Sequence, residues 1–193
     1  MAAPCYSERV DRALELVAGA FRTHVRKGSN VPYLSHLLAV AALVAEHGGD
    51  EDQIIAALLH DYLEDVDGSA APEIEARFGS RVVRLVLALS DSTTKPKPPW
   101  EERKQRYVAG LRAEPAELKL ISAADKLHNA LSMIRDHRAI GDALWERFTP
   151  SPQETVWYYR SVVSALAEGW SHPLLEELRR AVDELEALAP HTK

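Results

Sequence analysis

Cys5 is the only cysteine in this 193-residue chain, so neither a disulfide framework nor a thiolate zinc site is available to it. Long apolar runs are missing as well. No stretch reaches membrane-spanning length, and the opening MAAPCYSERV lacks both the basic start and the apolar stretch of a secretion leader. Positive charge is in deficit: the formal charge of −6 argues against a nucleic-acid-binding surface as the chain's main business. No internal repeat or low-complexity tract interrupts it, and nothing in the pattern marks a second domain. What remains is one domain over 1–193, expected in a reducing, cytoplasmic setting, whose core needs no disulfide or structural metal.

The hydrophobic periodicity is helical almost throughout, which predicts an all-α fold. Ser7 is placed to cap a first helix with apolar positions Val10, Leu14, Val17, Ala18 and Phe21. RKGSNVPY breaks the pattern, and Ser35 is the expected cap of a second helix through Leu37, Val40, Ala41 and Val44. After HGG at 47–49, Asp50 restarts a third helix with the stripe Ile54, Ile55, Leu58 and Leu59. Pro72 suits the first turn of a short helix ending at Gly79. SRVVRLVLALS could be strand or helix; Val82, Leu85, Val86 and Leu89 fit helical spacing, and no partner strand exists. DSTTKPKPPW at 91–100 is the one sizeable loop, because its prolines force extended conformations. Helices follow from Glu101, after Pro115, from about Glu154 and from Pro173, before a loose APHTK tail; Trp157 is expected in the core.

Against this apolar background four polar groups stand out: His36 opening the second helix, His60 and Asp61 closing the third, and Asp125 in ISAADKLHNAL. Two imidazoles and two carboxylates form a ligand set suited to Mn²⁺ or Mg²⁺ and acceptable to Fe or Zn. Adjacent helical residues point roughly 100° apart, so His60 and Asp61 can both reach an ion at the helix end. A lone histidine beside a leucine stripe is ordinarily a hydrogen-bonded boundary residue, and Glu64-Asp65 could be a solvated helix end. Asp125 weighs against so plain an account, since an unpaired carboxylate is costly to bury in an apolar helix.

The ordered set RKGSNVPYLSH, AALLHDYLEDV, FGSRVVRLVLALSD and ADKLHN resembles the HD-domain metal-dependent phosphohydrolases over residues from about 10 to 165. Within them it is most similar to the hydrolase domain of the RelA/SpoT family and the small alarmone hydrolases. The resemblance implies an all-helical single HD domain with Mn²⁺ on His36, His60, Asp61 and Asp125. It implies a water-activating role for Glu64 and Asp65, without saying which is the base. Arg26 and Lys27 match the family's guanine-nucleotide pair, Asn129 its nucleoside contact, and Tyr158 a tyrosine lining the pocket. Lys95, Lys97, Lys126 and Arg160 are further cations for phosphate oxygens. The chain departs from the family in its shorter THVRKG segment, in a missing glutamine, in Leu37 after His36 and in the longer proline-rich loop.

The activity implied is metal-dependent hydrolysis of the 3′-pyrophosphate of (p)ppGpp to GDP or GTP and pyrophosphate. Two alternatives stay open: another HD nucleotide phosphohydrolase, acting on a deoxynucleotide, a 5′-nucleotide or NADPH, and a non-catalytic helical nucleotide-binding protein. The expected partner is a small guanosine nucleotide, with no DNA, RNA or membrane, and a homo-oligomer left open.

Overall fold

Ser7 caps as its position predicts: its hydroxyl oxygen accepts from the Arg9 backbone N–H, and α1 runs Glu8–Ala20. In this computed structural model residues 5–190 are described, and every regular element among them is helical, apart from an isolated bridge between Val25 and Pro32. Residues 191–193 of the APHTK tail lie outside the described residues. The chain divides at Pro98/Pro99 into two compact units.

The first unit continues with α2 (Leu34–Glu46), α3 (Glu51–Leu59), a π-helical turn (Tyr62–Val66), α4 (Ala71–Phe78) and α5 (Ser80–Leu89). Asp50 starts α3 with a full capping box, its carboxylate accepting from Gln53 N while the Gln53 side chain accepts from Asp50 N. Ser35 does not cap α2. The helix begins at Leu34, and the Ser35 hydroxyl donates back to the Pro32 carbonyl at 2.8 Å. Ser35 thus lies inside the first turn, where its hydroxyl bonds back to a carbonyl three residues earlier instead of capping. Helices α1, α2 and α5 pack on α3, and α4 packs on α5. The stripes Val10–Val17, Val40–Val44, Ile55–Leu59 and Val82–Val86 fill the interior. Gly79 joins α4 to α5 at φ 93°, a backbone conformation that an L side chain would strain.

The second unit holds α6 (Trp100–Leu111), α7 (Ala116–Ile140), a 3₁₀ turn (Gly141–Arg147), α8 (Pro152–Ala167) and α9 (Pro173–Leu188). α7 and α8 both pack on α9, and α6 packs on α8. Lys119, though buried, is satisfied by carbonyls: its ammonium donates to Arg112 O at 3.1 Å and Glu168 O at 2.5 Å, closing the carboxyl ends of α6 and α8. Trp157 corrects the expectation of a core residue. Thr155, Tyr158, Tyr159, Val162 and Leu166 form the buried face of α8, and Trp157 falls off it, 41% exposed. Among the described residues no helix is long and apolar enough to cross a membrane.

Candidate metal centre and acidic pair

His36 sits in the first turn of α2 and His60 just beyond α3, both buried to within a few per cent. Packing α2 against α3 brings their Nε2 atoms to 3.2 Å. His60 Nδ1 lies 2.7 Å from the Ala57 carbonyl, so that nitrogen carries the proton and Nε2 presents its lone pair. Asp61 Oδ2 is 3.0 Å from His60 Nε2 and 3.6 Å from His36 Nε2. Two donors each about 2.1 Å from one ion, at near right angles, stand about 3 Å apart, so these spacings fit a single divalent cation.

Tyr33 braces this cluster. Its hydroxyl donates to Asp61 Oδ2 at 2.7 Å, its ring stacks on Phe21 at 5.3 Å, and its edge meets His36. Burial pushes the phenol well above its ordinary range, and the Asp61 carboxylate pushes it further, so it remains a donor. The Arg26 guanidinium lies 5.5 Å from the centre of the Tyr33 ring. Arg26 is held by a tight turn in which its N–H bonds Val31 O and Tyr33 N–H bonds His24 O. The shortened THVRKG segment therefore still directs Arg26 onto the aromatic beside the cluster. Lys27, next to it, is exposed.

Beyond Asp61 the backbone widens, and Asp67 N bonds Tyr62 O five residues back. Glu64 and Asp65 lie on this π-turn, and both carboxylates meet Lys97: Glu64 Oε1 at 2.8 Å and Asp65 Oδ1 at 3.1 Å from the ammonium. Burial pushes the Glu64 carboxyl above its usual range, and Asp91 and Asp61 add to that; Lys97 opposes the rise without cancelling it. Lys97 would be lowered by burial, but Glu64 and Asp65 outweigh it and raise the ammonium.

In the second unit, Asp125 is buried in α7 with an amide and an ammonium on its oxygens. Asn129 Nδ2 donates to Oδ1 at 2.5 Å, and Lys126 donates to Oδ2. The Lys126 ammonium also faces the rings of Tyr107 at 5.2 Å and Tyr158 at 5.9 Å, and Lys104 lies 4.9 Å from the Tyr158 ring. Burial alone would depress Lys126; Asp125 and the two phenols raise it well above its ordinary value. Arg160 is directed elsewhere, onto Asp183 and Glu186 of α9.

The structure thus groups His36, His60 and Asp61, with Arg26 reaching the group through Tyr33, and it groups Glu64 with Asp65. Within the second unit it groups Asp125, Lys126, Asn129 and Tyr158. Sequence reasoning missed Tyr33, although the Pro-Tyr segment was in view, and it offered Lys97 as one of several cations for phosphate oxygens rather than as a partner of Glu64 and Asp65.

A profile of the HD domain matches residues 13–146. The chain belongs to the HD domain family. This HD domain protein is 33% identical over 175 residues to guanosine-3′,5′-bis(diphosphate) 3′-pyrophosphohydrolase MESH1 of Mus musculus, covering 89% of this chain and 92% of that one. Its fold is similar to the crystal structure of lmo0812 from Listeria monocytogenes EGD-e, with a TM-score of 0.72 at 29% identity over 79% of this chain and 99% of that one. It is also similar to a metazoan ortholog of SpoT that hydrolyses ppGpp, with a TM-score of 0.75 at 24% identity over 95% and 98% of the two chains. The HD domain implies a divalent metal, and the His36–His60–Asp61 cluster supplies nitrogen and oxygen donors for one.

Proposed function

We propose that this HD domain protein hydrolyses the 3′-pyrophosphate of (p)ppGpp, releasing GDP or GTP and pyrophosphate. The observation that carries the reading is the relationship to the mouse 3′-pyrophosphohydrolase, which runs through nearly the whole of both chains. The histidine–aspartate cluster beside an acidic pair supports it, because a bound metal can acidify the attacking water and a nearby carboxylate can take its proton. In this reading the two units serve as one hydrolase domain, in keeping with a family profile that covers most of the first unit and reaches residue 146 of the second.

His36, His60, Asp61 and Asp125 are the proposed holders of one Mn²⁺. That ion would supply Lewis acidity, lowering the pKa of a bound water and neutralising phosphate charge. Glu64 and Asp65 take the proton of the attacking water or hold it in line. The water oxygen bonds to phosphorus while the bond between phosphorus and the 3′ oxygen breaks. Tyr33 fixes the Asp61 carboxylate, and Lys126 with Asn129 fixes that of Asp125. Arg26 and Lys27 receive the guanine nucleotide, with Asn129 at the nucleoside and Tyr158 lining the pocket. Arg160 would reach a phosphate only by giving up Asp183 and Glu186. The protein is proposed to act in the cytoplasm on this small nucleotide, apart from DNA, RNA and membranes; a homo-oligomer is compatible with it.

A substrate panel with Mn²⁺ tests the reading: ppGpp, pppGpp, deoxynucleotides and NADPH, with products identified by mass. GDP and pyrophosphate from ppGpp are expected. Turnover of a deoxynucleotide or NADPH with ppGpp left intact would replace the alarmone assignment by another HD phosphohydrolase activity.

A further inference from the structure

Between Asp91 and Trp100 the chain forms no helix, yet it is not loosely placed. Pro96, Pro98 and Pro99 each fix a backbone torsion, and Ser92 accepts from the Thr94 N–H within the same stretch. At Thr93 the carbonyl oxygen comes so close to Gly68 that a Cβ on residue 68 would collide with it. A backbone neighbour cannot swing aside as a flexible side chain can, so this approach fixes the strap's register against the segment after the π-turn. From that register Lys97 delivers its ammonium to Glu64 Oε1 at 2.8 Å and Asp65 Oδ1 at 3.1 Å.

The acidic pair needs such a partner. Glu64 faces Asp91 and Asp61 as well as its neighbour Asp65, a crowd of like charge in a partly buried place. Both carboxylates stand on a short π-turn rather than on a continuous α-helix. Lys97 comes from 33 and 32 residues away in the sequence, so local helix geometry does not supply the contact. One ammonium with three donors can hold two adjacent carboxylates at once, setting both rotamers and offsetting their repulsion.

We propose that Lys97 is a positioning residue for the Glu64–Asp65 pair, presented by a proline-stiffened strap registered on Gly68. The inference rests on the water-activating role given to that pair above. Lys97 acts through the carboxylates: it keeps them aimed, and they handle the water.

The test uses the full chain with Mn²⁺ and the variants Lys97→Met and Lys97→Arg, each alone and with Glu64→Gln. Misplacing a reacting group by about an ångström costs about 10²-fold, so Lys97→Met should lower kcat on ppGpp by about that factor with KM and bound metal unchanged. Lys97→Arg, whose fork reaches both carboxylates, should recover most of the loss. In the Glu64→Gln background Lys97→Met should cost less than in the parent, because one of its two targets is already neutral. A raised KM with unchanged kcat makes Lys97 a phosphate ligand and overturns the proposal, as does a loss that is fully additive with Glu64→Gln. Amide exchange across 62–68 separates this proposal from the substrate reading. A parent that leaves ppGpp intact refutes the substrate reading; faster exchange in Lys97→Met but not in Lys97→Arg then still supports the strap's role. Unchanged exchange in Lys97→Met overturns it, whatever the substrate.

Discussion

Replacing Tyr33 by phenylalanine removes one oxygen and leaves the ring. The stack on Phe21, 5.3 Å between centroids and tilted by 13°, survives the change, as does the Arg26 contact at 5.5 Å. What disappears is the 2.7 Å hydrogen bond to Asp61 Oδ2, the oxygen that lies nearest both histidines. A hydrogen bond to a charged group contributes about 1.5–3 kcal/mol, and about 1.4 kcal/mol is a factor of ten. Outer partners of metal ligands carry about 10–100-fold in affinity or activity, which agrees with that range. The Asp61 side chain is only 17% exposed, so water replaces the lost donor incompletely. Tyr33→Phe should therefore bind Mn²⁺ about 10–100-fold more weakly than the parent. Calorimetric titration of chelator-treated protein measures this, with the thermal melt as a control for folding. An affinity within about twofold of the parent in a folded variant would refute the idea that Tyr33 orients a ligand.

Glu64 titrates above its ordinary 4.5, so the fall in kcat on acidification should begin above that value. The sign follows from the role: the carboxylate works ionised and is lost as pH drops through its raised pKa, and Glu64→Gln should abolish that limb of the pH profile. Asn129→Ala removes the 2.5 Å amide bond on Asp125 Oδ1, so elemental analysis should find less bound metal along with a higher KM; a change in KM alone would make Asn129 purely a nucleoside contact. Gly68→Ala drives a Cβ into the Thr93 carbonyl, and both the melting temperature and kcat should fall; an unchanged kcat would show that the strap does not steer the acidic pair.

Helices were legible wherever a stripe repeats at three and four residues, as in α5 with Val82, Leu85, Val86 and Leu89. Trp157 was misjudged on residue type, although the same spacing rule that buries Tyr158, Val162 and Leu166 puts it outside the face. Ser35 looked like a cap because composition cannot reveal that a proline carbonyl stands behind it. The π-turn left no trace in the pattern, since so short a stretch of five-residue hydrogen bonding has no sequence period of its own. His36, His60 and Asp61 could be picked out as polar interruptions of apolar stripes. Their supports could not: the Tyr33–Asp61 and Lys97–Glu64 contacts span 28 and 33 residues, and only the packed chain brings them together.

The π-turn makes the stretch from Asp61 to Asp67 sensitive to length rather than to composition. A π-turn is an α-helical turn with one residue too many. Deleting a single residue there would restore ordinary spacing and rotate everything beyond the cut by about 100° about the helix axis. Glu64 and Asp65 would then turn away from Lys97, and Gly68 would lose step with Thr93. Substituting exposed Asp67 leaves the count intact, whereas deleting an uncharged residue such as Val66 changes it with no loss of charge. Frame-preserving indels should accordingly be far more damaging in this short stretch than point changes to its exposed side chains.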